Sequence, residues 1–306
     1  MMQGAAASAF QARSAFQQDI LFAFGGGDPR VTIAVLDGPV DRTHECFRGA
    51  RLVPVEGGAR ARSPDSRAVA RGSHSASVIF GQPCSSVEGI APLCRGLSVP
   101  IFAGEDGCAS QGLARAIILA LGHGAQVIHV GAGRFEPSDD SDLLLTRAIA
   151  MCRRRNVLIV AAAGRDGCCD LEQAEWGASV LAVRALEDIG LRQSAVVPEN
   201  DADRRVVAVP GANIVGAALE GGVGHRSGAT GAAALLAGVV GVLLARQIRD
   251  GRSADPRAIR EALLRAAADD AATGSRVLRS RDDLARGVDG FGFHDRNRRF
   301  PFDLSA

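Results

Sequence analysis

Three residues far apart in the chain, Asp37, His74 and Thr230, are of the types that together make a reactive hydroxyl. A carboxylate orients an imidazole, the imidazole takes a proton, and the hydroxyl attacks; acid, base, nucleophile is one of the chain orders in which this unit occurs. Asp37 closes the apolar run Val31-Thr32-Ile33-Ala34-Val35-Leu36. His74 sits in Arg71-Gly72-Ser73-His74-Ser75-Ala76-Ser77-Val78, and Thr230 follows Ser227-Gly228-Ala229 at the head of a long apolar stretch. Taken singly, each has a plainer reading: a turn aspartate in Asp37-Gly38-Pro39, a structural histidine among small residues, and a helix N-cap. The ordered trio says more than its members.

The elements that must position these groups follow from apolar patterning. Residues 9–24 carry helical spacing and stop at Gly25-Gly26-Gly27-Asp28-Pro29. Residues 31–36 predict a buried strand, and 57–72, rich in Gly, Arg and Ser, a surface loop. Thereafter helices are expected over 74–80, 111–121, 141–154, 230–247 and 256–268. Strands are expected over 96–102, 126–130, 157–162, 179–183 and 205–209. Alternating β and α with apolar strands predicts an α/β fold, a mostly parallel central sheet with helices on both faces. Active sites of such sheets gather at the carboxyl ends of the strands, where Asp37 lies. Residues 228–245 are long and apolar enough to suggest a membrane span. The Ala and Gly content and the like charges of Arg226 and Arg246 favour a buried core helix, so no membrane is expected.

Composition narrows the partners. The 306 residues are 47% hydrophobic and 23% charged, with a net charge of +1, which gives no reason to expect nucleic acid. Every basic residue is Arg, so neither a lysine Schiff base nor a phosphate-loop lysine is available. The seven cysteines contain no C-x-x-C pair, which speaks against zinc; reduced thiols are the expectation, Cys168-Cys169 included. Asp139-Asp140-Ser141-Asp142 reads as a helix-capping cluster, and Gly131-Ala132-Gly133 lacks the third glycine of a dinucleotide loop. Neither a metal nor a cofactor is expected. Met1–Phe24 lacks a basic start and a continuous apolar run, so a cytoplasmic location is expected.

Longer segments carry a resemblance. Ile33 to Phe47, Ala76 to Pro83, Gly89 to Leu97 and Val157 to Gly164 closely resemble the subtilisin-like proteases that mature cyanobactins, a class of ribosomally made, modified peptides. The likeness spans roughly residues 28–270 and implies a subtilisin-like fold. The expected division is an N-terminal helical extension over 1–27, the subtilase-like domain over 28–290 and a tail over 291–306. Carried over by position, the resemblance implies Asp37 as acid and His74 as base, taken from the family's H-G-T-H, which here reads Arg71-Gly72-Ser73-His74. The family's S-G-T-S-x-A-T-P reads Ser227-Gly228-Ala229-Thr230-Gly231-Ala232-Ala233-Ala234, so Thr230 stands at the nucleophile; Ser227 would serve only in a shifted alignment. Arg165 follows Ala162-Ala163-Gly164 where the family has its oxyanion asparagine. The substrate-lining N-x-S-L-G or N-I-S-G-G reads His129-Val130-Gly131-Ala132-Gly133.

Nucleophile, oxyanion donor and substrate wall thus depart from the pattern together. The expectation is a peptide-binding pseudoprotease acting on a precursor peptide, with Gly131, Ala132 and Gly133 lining the cleft. A working endopeptidase using Thr230 and a structural partner of an active homologue are the alternatives; a second copy of the chain is a further candidate partner.

Overall fold

The computed structural model describes residues 15–24, 26–56, 66–102, 107–131, 134–136, 139–163, 179–186, 206–270, 275–280 and 282–284. The strands are β1 (Thr32–Asp37), β2 (Leu52–Pro54), β3 (Arg95–Pro100), β4 (Gly107–Ala109), β5 (Val127–Val130), β6 (Arg134–Glu136) and β7 (Leu158–Ala162). They continue as β8 (Val180–Ala185), β9 (Val206–Val209), β10 (Ile214–Ala217), β11 (Val223–Arg226), β12 (Ala268–Asp270) and β13 (Ser275–Val277). The helices are α1 (Ala15–Phe24), α2 (Ser66–Phe80), α3 (Ser110–Gly122), α4 (Asp139–Arg154), α5 (Ala229–Arg249) and α6 (Pro256–Ala266).

Nine strands form one sheet in the order β12-β13-β9-β8-β7-β5-β1-β3-β2, parallel throughout except where β12 meets β13. This is the mostly parallel α/β architecture expected from the alternation, and it agrees with the subtilisin-like fold that the resemblance implies. All six residues of β1 are buried, as a strand covered on both faces requires. Period two then divides its side chains. Ile33 and Val35 join the core built with α2 and α5, while Ala34 and Leu36 join the core built with α3 and α4. Asp37 continues the parity of Ile33 and Val35 and so emerges toward α2.

The apolar run at 228–245 is α5, sunk into that first core. Its 21 residues are long and apolar enough to cross a membrane, yet a span-length stretch of them is 89% buried in the protein. Small residues make the burial feasible. A Cβ on Gly241 would stand 2.5 Å from Ile33 Cδ1, and one on Gly238 would stand 2.7 Å from Ile90 Cβ. α1 packs on the same core through Phe16 and Ile20, and Gln17 exchanges two hydrogen bonds with the Val215 backbone at 3.0 and 3.1 Å.

Several boundaries differ from expectation. The loop expected over 57–72 ends early: α2 begins at Ser66, so His74 lies well inside the helix and not at its N-terminus. Gly72 and Ser73 are poor helix formers in isolation, but here packing decides. A Cβ on Gly72 would collide with the Gly38 carbonyl, and one on Gly38 with the Ala68 carbonyl, so the two backbones touch. The short strands β2, β4, β6, β10, β11, β12 and β13 have no counterpart in the sequence-based expectation.

Candidate active site

Asp37 is fully buried and receives three hydrogen bonds. The Gly38 backbone N–H donates to Oδ1 at 2.8 Å, Arg71 Nε donates to Oδ1 at 2.8 Å, and Ser75 Oγ donates to Oδ2 at 2.8 Å. Arg71 and Ser75 are four apart on α2 and share the face that passes the acid. The backbone contact of Gly38 with Gly72 sets that distance. Arg71 is held a second way, its guanidinium carbon 4.2 Å from the Phe102 ring centroid.

His74 does not meet Asp37. Its Nε2 donates to the Ile214 carbonyl of β10 at 3.0 Å, and its ring lies against Gly216, where a Cβ would stand 2.7 Å from Nε2. Ser77 extends the same seam: its hydroxyl donates to the His74 carbonyl at 2.8 Å and accepts the Ala217 N–H at 2.7 Å. Burial pushes the imidazole down to about 4, against the pull of the Ile214 bond, with Arg226 adding to the depression. A neutral ring that donates from Nε2 has its proton on the nitrogen that a triad base keeps free for the nucleophile. The expected hydrogen bond between Asp37 and His74 is therefore absent, because three residues along a helix carry a side chain from the acid to β10.

The register supplies a neighbour that sequence reasoning passed over. His129 of β5 pairs with Val35, which sets its side chain on the same face as Asp37. It is fully buried, its Nε2 is 4.0 Å from Asp37 Oδ2, and among the described residues neither ring nitrogen has a hydrogen-bond partner. Burial again dominates, pushing the ring down to about 4, only partly offset by Asp37. Gly131 lies directly over the carboxylate: a Cβ there would stand 2.5 Å from Oδ2, so the serine of the resembled pattern does not fit without a shift.

Thr230 is the second residue of α5, as expected for an N-terminal position. Gly228 just before it donates to the Gly211 carbonyl at 3.0 Å, beyond the carboxyl end of β9, and has φ 123°, a conformation that favours glycine. Gly231 packs on Ile214, where a Cβ would stand 2.8 Å from Cδ1. Ile214 therefore stands between the head of α5 and the tethered His74. Arg165, Ala132 and Gly133 lie outside the described residues. Among the described residues no group of His, Cys, Asp and Glu could hold a metal ion.

Arg71 and Ser75 were both visible in the sequence as an i, i+4 pair around His74. Residues 28–286 match the subtilase family. The chain belongs to that family. This subtilase is similar to a single-residue variant of the protease domain of PatA, with 36% identity, 87% of this chain and 98% of that one covered, and a TM-score of 0.70. It is also similar to the prenylagaramide maturation protease PagA, with 34% identity, 90% and 99% covered, and a TM-score of 0.73. The fold is shared with a PatG macrocyclase in complex with peptide, at 24% identity, 86% and 93% covered, and a TM-score of 0.68. No curated protein sequence matches significantly. The resemblance to cyanobactin maturation proteases read from the segments is borne out.

Proposed function

We propose that this chain is a peptide-binding pseudoprotease of ribosomal-peptide maturation, cytoplasmic, whose cleft holds a precursor peptide without cutting it at a useful rate. The observation that carries the reading is the Arg71 Nε to Asp37 Oδ1 bond at 2.8 Å. In H-G-T-H the first position, not the fourth, faces the acid on this helix; in this chain that position is Arg71. A guanidinium stays protonated at any working pH and cannot accept the hydroxyl proton. Position 71 therefore offers no proton acceptor for a nucleophile's hydroxyl, and the extra methyl of Thr230 restricts χ1 where the oxygen must be aimed. In subtilisin itself, removing the base alone costs about 10⁶ in turnover.

Peptide binding needs none of this, because an extended strand is held by backbone hydrogen bonds along a sheet edge and by side-chain pockets. A PatG macrocyclase that shares the fold is found in complex with peptide, which supports the reading. Single-turnover cleavage of an unstructured peptide, with fluorophosphonate labelling alongside, tests the reading. The wild type should be at least about 10³-fold slower than an active subtilase. Thr230→Ser with Arg165→Asn should stay slow, and adding Arg71→His should restore labelling and cleavage. Brisk wild-type cleavage abolished by Thr230→Ala would overturn the proposal in favour of a threonine-using endopeptidase.

A further inference from the structure

We propose that Arg71 is a carboxylate receptor, so that the peptide taken by this cleft is one presenting a carboxylate where a substrate of an active relative would present its scissile amide. The inference rests on the peptide-binding reading above and names the ligand chemistry of the same site.

Arg71 spends only Nε on Asp37; among the described residues neither Nη nitrogen hydrogen-bonds another group, and Nη2 is covered. A covered donor without an acceptor is costly, and a guanidinium is built to satisfy an oxyanion with several parallel N–H groups. The side chain is 20% exposed while its partner Asp37 is fully buried, so of the pair it is the arginine that reaches solvent. It is also held still: Asp37 fixes one edge, the Phe102 ring supports the face, and Ser75 and Gly38 hold Asp37. Immobility before binding lowers the ordering cost of a ligand.

The surroundings favour an anion. Arg226 of β11 lies near enough to His74 to disfavour its protonation, which places a further positive charge beside the same helix. Asp37 balances the charge of Arg71 but leaves its outer N–H groups unused. A neutral scissile amide offers these donors one carbonyl; a carboxylate offers two oxygens and a charge.

The probes are N-acetyl-tetraalanine as free acid, the same peptide as C-terminal amide, and the amide of N-acetyl-Ala-Ala-Ala-Asp. They are titrated at low salt against the full chain by NMR, following the arginine Nε–Hε signals. The expected result is a free acid bound about tenfold to a hundredfold more tightly than the plain amide, with the Arg71 signal moving. A matching gain for the aspartyl amide alone would assign the carboxylate to a side chain and not to a chain end, and would equally support the receptor. Asp37→Asn with Arg71→Gln keeps both shapes without stranding a charge, and should abolish the preference. Equal binding of all three peptides, or a preference that survives in the double variant, would overturn the receptor while leaving the peptide cleft standing. Binding of none would remove both.

Discussion

Histidine and arginine can each donate a hydrogen bond to a buried carboxylate, and at position 71 the two differ in a proton that cannot leave. Because Asp37 is fully buried, Arg71→Ala strands its charge and should destabilise the protein by about 3–5 kcal/mol in denaturant titrations. Asp37→Asn with Arg71→Gln should recover most of that loss. The two buried imidazoles give a pH signature. His74 and His129 are both held near 4, against an ordinary value of 6.5, so between those values the unfolded chain binds more protons. Stability is therefore full above about 6.5 and falls as pH drops toward 4, at about 1.4 kcal/mol per pH unit for each ring. His129→Asn, which removes one ring without touching the Ile214 seam, should flatten the dependence measured between pH 4 and 7. At this scale the sequence was half legible. Asp37 could be placed from the strand it ends, whereas His74 was matched by its identity, and only the helical phase of α2 shows that position 71 faces the acid.

The course of α2 past the acid depends on Gly38 and Gly72, whose backbones leave no room for a methyl. Gly72→Ala should cost about 1–3 kcal/mol by overpacking, far from the small gain that Ala usually brings to a helix interior. A thermal melt checks the sign. The long apolar strands were readable because burial on both faces demands continuous apolar runs. Strands of three or four residues such as β2 and β10 carry too few alternations to announce themselves, and β10 is the element that takes the His74 hydrogen bond. The start of α2 was hidden for a related reason, since Gly72-Ser73 reads as a break until a backbone packs against it.

Across the whole molecule, α5 is the axis on which the first core is assembled, and Leu236 near its centre is 1% exposed. Leu236→Ala should lower unfolding free energy by about 2–5 kcal/mol, and a chemical melt would show it as a lower midpoint with an unchanged slope. The same axis carries α1, whose Gln17 clamps a backbone 198 residues away. That span has a meaning during synthesis. At about 5–20 residues per second, Gln17 is made roughly 10–40 seconds before Val215. Throughout that interval Gln17 has no Val215 backbone to clamp, so the bonds that tie α1 to β10 are among the late contacts of the fold. The polar lock on the chain's first described helix thus closes only when the strand that tethers His74 has been delivered.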